Sequence, residues 1–372
     1  MKIRGAVLSS RGSEPPYVNS LPLAIEELEL DAPGETEVLV RIEAAGICHS
    51  DLSVVDGSRE RPLPMLLGHE AAGIVVGLGG PASSVEIGRR VVASFLPRCG
   101  VCSACRTGGR LPCIPGSAAN TEGALLAGGR RLHLHGVPVA HHLGVSGFAT
   151  HAVMDIRSVV PVGDDIPPDI AAVLGCAVLT GGGAVLNVGR PERGQTVAIV
   201  GLGGVGMAAL LVAMSIEGIT VVGVDSNPDK VARALALGAT RSMTADEALE
   251  GGFSAAVVVE CAGAARAFET AVCITAPGGR TVSIGLPAPT AEVRFSPLRL
   301  VAEAREIVGS YLGSAIPSRD IPFYESLWRA GRLPVEDLIT SHIPLSEINR
   351  GLDALASGDV LRQIVEFPGV AA

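Results

Sequence analysis

Thr196-Val197-Ala198-Ile199-Val200-Gly201-Leu202-Gly203-Gly204-Val205-Gly206 passes from a β-favouring run straight into the spacing G-x-G-x-x-G. The next stretch, 205–217, is apolar and of helical length, and 220–224 reads as a second strand that runs into Asp225. Strand, glycine turn, helix and strand make one βαβ unit. In such a unit the glycines allow a tight turn and a close backbone approach, and the first turn of the helix offers amides and its dipole to a pyrophosphate. A carboxylate at Asp225 can accept both ribose hydroxyls of an adenosine, and Ser226 stands where a basic residue would be needed to neutralise a 2′-phosphate, so the unit favours NAD over NADP. The plainer alternative is a turn whose glycines serve only helix-to-strand packing, with Asp225 an ordinary strand-end residue.

Further along, 255–260 and 280–284 read as strands and 264–275 as a helix between them, which predicts a parallel sheet covered by helices. Upstream the text differs. Segments 2–8, 37–45, 72–78 and 90–94 are short and β-like, separated by Gly and Pro, and 123–129 reads as a glycine-rich loop. From about Ile321 the sequence is Pro-broken and amphipathic and ends in a β-like 363–367 that leaves the alternating pattern, a candidate for return to the first domain. No internal repeat is visible, and 372 residues at 48% hydrophobic content are enough for two domains with separate cores.

Composition narrows the function. A formal charge of -9 without a long cationic run argues against a nucleic-acid partner and leaves small-molecule chemistry. Residues 1–8 lack the apolar core of a secretory signal, and no apolar stretch reaches membrane-spanning length without Gly or charge interrupting it, so a cytoplasmic protein is expected. There eight cysteines are more naturally thiols or metal ligands than disulfides. Cys99, Cys102, Cys105 and Cys113 place four thiolates in one loop, enough to close a tetrahedral shell around a structural zinc. Free thiols, an iron centre or strained disulfides are the alternatives.

Gly68-His69-Glu70-Ala71-Ala72-Gly73, together with the cysteine loop and the glycine turn, resembles the zinc-containing medium-chain dehydrogenase/reductase family along nearly the whole chain. The resemblance implies an α/β fold: a GroES-like β-rich catalytic domain at 1–176 with its structural-zinc loop at 99–113, a Rossmann coenzyme domain with a doubly wound parallel sheet at 177–312, and a segment 313–372 returning to the catalytic domain. It implies a zinc-dependent alcohol dehydrogenase that moves hydride between a primary or secondary alcohol and NAD. By this likeness Cys48 in Gly46-Ile47-Cys48-His49-Ser50-Asp51, His69, and Cys176 in Gly175-Cys176-Ala177 hold a catalytic zinc. Glu70 is a nearby carboxylate able to displace a ligand, and Asp51 orients the imidazole, although Asp51 also reads as a cap for a helix starting near Leu52.

The family pattern further implies that Ser50 accepts the hydroxyl proton and hands it to the coenzyme ribose. Many members complete that relay with a histidine where this chain has Ser53, so His49 or water is expected to take its place. His49 and Arg362 resemble pyrophosphate contacts, Lys230 an adenosine-ribose contact and Thr180 a residue beside the nicotinamide. Phe95, His142, Leu143 and Leu286 fall where the family lines a largely apolar substrate channel, His142 being the polar exception. The length, with the extended segment 113–148, matches the family's dimeric alcohol dehydrogenases and implies a homodimer. Two other readings accompany these: a dehydrogenase for S-hydroxymethyl thiol adducts of formaldehyde, and a zinc-stabilised NAD-binding sensor or scaffold without catalysis.

Overall fold

The computed structural model describes residues 1–81 and 84–367, which divide into two compact units. One comprises Met1–Cys176 together with the chain from Ile339 onward; the other is Ala177–Leu338.

In the second unit the valine-rich strand Thr196–Val200 lies between Thr220–Asp225 and Ala255–Glu260, parallel to both, with Val197 opposite Val221 and Val257. Burial on both faces explains its unbroken apolar text. Thr275–Ser283 and Glu306–Gly309 extend the sheet on one side and Arg241–Thr244 on the other, six parallel strands among the described residues. Numbered along the chain their order is 3-2-1-4-5-6, which reverses direction beside Thr196–Val200, and there the glycine turn leads into the helix Gly204–Met214. That helix is buried from Gly206 to Ala213 and stops at Met214, short of the expected 217.

Segment 313–338 departs from expectation, because the structure keeps it in this unit and the chain leaves only after Leu338. The helix Pro317–Arg329 is held there by Tyr324, 1% exposed, whose hydroxyl would lie 2.7 Å from a Cβ on Gly182. Asn187 donates to Asp320 at 3.2 Å and to the Gly313 carbonyl at the same distance.

The first unit holds a closed barrel of Lys2–Leu8, Leu23–Leu30, Leu132–Leu134, Val137–His141 and Met65–Leu66. A second, seven-stranded sheet is organised around the long strand Glu37–Ile47. Its carboxyl end sets Gly46 opposite Glu70 on one side, and Gly46 and Ile47 opposite Ile364 and Gln363 of the strand Arg362–Glu366 on the other. Segment 113–148 forms the helix Ile114–Glu122 and two of the barrel strands, with the glycine-rich 123–129 a loop between them.

The stretch Pro168–Gly189 is 22 residues long and apolar enough to cross a membrane by length and composition, and its glycines do not interrupt the helix. Its most apolar window is 83% buried inside the protein, the setting of a core helix.

His141 closes the barrel strand Val137–His141 fully buried. Its Nε2 accepts the Arg131 N–H at 3.0 Å, while Nδ1 is buried with no partner. Burial first, then the charges of Arg131 and Arg130, push its imidazole down to about 3 from an ordinary 6.5. The native state therefore keeps His141 neutral while the unfolded chain takes up a proton below about 6.5. The stabilisation is complete above that pH and drains away as pH falls toward 3, about 2 kcal/mol being lost at pH 5. In urea unfolding, His141→Gln should therefore lose less stability than the parent between pH 7 and pH 5; an equal loss would overturn the assignment.

Candidate active site

Cys48 ends the strand Glu37–Ile47 and opens the helix His49–Val55, so its thiol stands at a strand-to-helix junction. His69 precedes the neighbouring strand Glu70–Leu78. Cys176 lies in a π-helical stretch, Leu174–Val178, brought close to the sheet by Gly175, whose added Cβ would sit 2.2 Å from the Ala93 carbonyl oxygen. The three ligand atoms lie within 4.8 Å of one another, Cys176 Sγ being 3.5 Å from His69 Nε2, and all three residues are buried.

The charges around them are arranged for a cation. Cys48 is held well below the ordinary thiol range, chiefly by the Cys176 S–H and then by Arg362 and His69, against its burial. The same pairing pushes Cys176 well above that range. One sulfur thus ionises at the other's expense, and a cation between them would let both ionise. Two sulfurs and one imidazole fit zinc with a coordination position left open.

Behind His69 stands Asp51, fully buried. Oδ2 accepts the Cys48 N–H at 3.1 Å and Oδ1 accepts the Gly68 N–H at 3.1 Å, and His69 Nδ1 is 3.1 Å from Oδ1. Both sequence readings of Asp51 are therefore present in one side chain. It caps a helix that starts at His49 rather than near Leu52, and it meets the imidazole. Burial alone would raise its carboxyl, but His69 and His142 outweigh burial and hold it below the usual carboxylate range.

Glu70 and Arg362 form a buried ion pair, Oε1 to Nε 3.3 Å, yet both Glu70 oxygens and Arg362 Nε and Nη2 lack an aligned hydrogen-bond partner. Burial pushes the Glu70 carboxyl up to about 7 against the pull of Arg362. Gly46 makes room for it, since a Cβ there would lie 2.3 Å from Glu70 Oε1. Nothing in the spacing of the sequence announces the Glu70 pairing, and Arg362, expected beside a pyrophosphate, lies buried against Glu70.

The sulfurs of Cys99, Cys102, Cys105 and Cys113 also lie within 4.8 Å of one another, and all four are free thiols. Backbone N–H groups point at the sulfurs: Cys99 at Cys113, Cys102 at Cys99 and Cys105 at Cys102, at 3.3–3.4 Å. Such amides from Ile114 and Cys105 bring Cys102 down to about 6, while burial pushes Cys105 up to about 12. Ionising all four together again calls for a cation, and four sulfurs leave it no open position.

In the other unit Gly201 has φ +90°, and an added Cβ would come within 2.7 Å of Ala262; one on Gly206 would lie 1.8 Å from the Gly201 carbonyl oxygen. Gly203 is different: among the described residues nothing beyond its chain neighbours lies within 4 Å of its added Cβ, and it caps the helix Gly204–Met214 without a side-chain hydrogen bond. Open space before bare helix amides fits a pyrophosphate. Asp225 is tied to the same turn, Oδ2 accepting the Leu202 N–H at 2.6 Å and Oδ1 the Asn227 N–H at 2.9 Å. Lys230 lies in the helix Pro228–Ala236 and Thr180 in the helical segment Leu179–Gly183, both half-buried.

Among the expected pocket residues, Phe95, His142 and Leu143 are buried in the catalytic unit, Phe95 meeting His69 edge-on with ring centroids 5.5 Å apart. Leu286, in the coenzyme unit, is half exposed. His49 is exposed and Ser50 half-buried, while Ser53 donates its hydroxyl to the Ser50 carbonyl at 3.1 Å.

Residues 34–164 match the alcohol dehydrogenase GroES-like domain family and residues 204–327 the zinc-binding dehydrogenase family. Geraniol dehydrogenase of Castellaniella defragrans is 37% identical over 358 residues, spanning 93% of this chain and 95% of that protein. An alcohol dehydrogenase zinc-binding domain protein from Burkholderia ambifaria has a similar structure, with TM-score 0.91 at 30% identity, over 99% of this chain and 100% of the other. Benzyl alcohol dehydrogenase from Acinetobacter calcoaceticus follows, with TM-score 0.89 at 28% identity, over 99% of each chain. With a relative 37% identical over nearly the full length of both chains and both domain families matched, the chain belongs to the zinc-containing medium-chain dehydrogenase/reductase family and is an enzyme of the zinc-dependent alcohol dehydrogenase type.

Proposed function

We propose that this chain is an NAD-linked dehydrogenase for apolar primary alcohols whose carbinol carbon adjoins an unsaturated or aromatic carbon. The observation that carries the reading is the buried trio Cys48, His69 and Cys176, two sulfurs and one imidazole with a carboxylate behind the imidazole. In this reading they hold a catalytic zinc, and Cys99, Cys102, Cys105 and Cys113 hold a structural one. Held by these residues, a zinc ion would supply Lewis acidity toward the substrate hydroxyl, and NAD would supply the hydride acceptor. The substrate class is supported by the names of the geraniol and benzyl alcohol relatives, both acting on alcohols of this kind, and by the apolar Phe95 and Leu143 near His69 and His142. A cytoplasmic homodimer completes the reading, and its mass in solution is measurable by light scattering.

Around the substrate the chain's own groups divide the work. Asp51 fixes the ring of His69 through its Nδ1 and leaves Nε2 for the metal. Ser50 takes the hydroxyl proton, a task suited to a group that donates and accepts at once. Ser53 cannot act as a base near neutral pH, and its hydroxyl is already given to the Ser50 carbonyl. His49 is the proposed exit for the proton.

An NAD-coupled screen over aliphatic, benzylic, terpenoid and polyol alcohols, with metal content measured alongside, tests the proposal. The benzylic and terpenoid alcohols should give the highest kcat/KM, and Cys176→Ser should lose one metal and nearly all turnover. Formaldehyde turnover that depends on added glutathione and exceeds these alcohols would favour the thiol-adduct reading.

Gly203→Ala separates coenzyme binding from packing. The new methyl meets none of the described residues beyond its chain neighbours, so thermal stability should hold while the KM for NAD rises at least tenfold. Unchanged NAD kinetics would leave the glycines a packing role only.

In the relay, His49→Gln should lower kcat and change its dependence on pH. Ser53→His should add a base and raise kcat. If both profiles superpose on the parent's, neither position carries the proton.

A further inference from the structure

The carboxylate oxygen that faces His69 is oversubscribed. Oδ1 of Asp51 lies 3.1 Å from the Gly68 N–H donor, 3.1 Å from His69 Nδ1 and 3.1 Å from His142 Nδ1. A carboxylate oxygen has two lone-pair directions, so three donors at bonding distance cannot all be aligned. The misaligned one is His142, whose Nδ1 is buried with no proper hydrogen-bond partner although it is as near as the others. His142 is also held in place. Its N–H donates to Ser146 Oγ at 3.0 Å, Ser146 Oγ donates to the Leu66 carbonyl at 2.9 Å, and the Ser146 N–H returns to the His142 carbonyl at 3.2 Å. The two imidazoles meet edge to face, centroids 5.3 Å apart and planes at 85°, and each residue is 1% exposed. Neither ring can turn to water for a different partner, and Oδ2 of Asp51 is already given to Cys48.

We propose that His142 is a positioning residue that competes with His69 for Asp51 Oδ1 and so limits how firmly His69 is held on the metal. This rests on the zinc reading above and adds to it a brake on ligand strength. An Asp–His pair with no competitor orients its imidazole and raises its basicity, tightening the metal. A second N–H on the same oxygen draws off part of that charge and offers the carboxylate an alternative bond whenever His69 moves. The gain is a metal centre whose imidazole ligand yields more readily. The backbone N–H groups of Cys48 and Gly68 anchor Asp51 independently, so removing His142 leaves the carboxylate in place and ends the competition for the lone pair that His69 uses.

The test follows metal release from the zinc-loaded enzyme into a chromogenic chelator, together with the visible spectrum of the enzyme carrying cobalt at the catalytic site. His142→Phe keeps a planar ring and removes the donor; metal release should slow roughly tenfold and the cobalt bands should shift. His142→Asn restores an N–H at the Nδ1 position and should return both readouts toward the parent. With Asp51→Asn as background, His142→Phe should make no difference. Release at the parental rate in His142→Phe, or faster release, overturns the inference, as does an undiminished effect in the Asp51→Asn background. A merely structural role would lower the melting temperature without this pattern, and that outcome also overturns it. A parent chain that binds no metal at Cys48, His69 and Cys176 overturns the zinc reading itself, which is seen before any variant is compared.

Discussion

The Asp51 carboxylate is the constraint on which the catalytic unit's chemistry depends. Fully buried, it closes the first turn of the helix His49–Val55 through the Cys48 N–H and fixes the approach of Gly68 to His69. It also meets two imidazoles. An isolated charge so placed would be costly, and it persists because two backbone N–H groups and two imidazoles face it. Two ligand-bearing segments, Gly46–Ser50 and Gly68–Glu70 in sequence terms, are thereby registered to one another by a side chain that need not touch the metal.

The same principle governs the neighbouring charges. Two thiols, Glu70 and Arg362 share a buried space in which Cys48 ionises readily while Cys176 and Glu70 are held back from ionising. The guanidinium offsets part of the negative charge, and its unaligned N–H groups show that the offset is Coulombic more than hydrogen-bonded. The cysteine loop solves a related problem differently, using short sequence gaps and main-chain amides aimed at sulfur.

Legibility followed the range of the interactions. The glycine turn, its flanking strands and the cysteine loop are local, so their spacing was readable directly, and the buried central strands appeared as continuous apolar runs. Leu23–Leu30 is different: three glutamates break its pattern, and it becomes a strand by pairing along its length with Lys2–Leu8. Arg241–Thr244 and Glu306–Gly309, the short edge strands, lack the apolar signal for the same reason, half their surroundings being open. The unit boundary at Leu338 rather than 312 was set by Tyr324 and Asp320 packing on residues more than a hundred positions earlier, which no local pattern encodes.

By itself the sequence determined the nucleotide-binding βαβ unit, the four-cysteine loop and the family, because each rests on residues close together in the chain or on a motif of definite order. Only the tertiary structure decided that Cys48, His69 and Cys176 meet, that Arg362 lies against Glu70, and that His142 reaches Asp51. Those pairings join residues dozens to hundreds of positions apart. What brings them together is sheet register and the burial of charge, quantities that exist only once the chain has closed on itself.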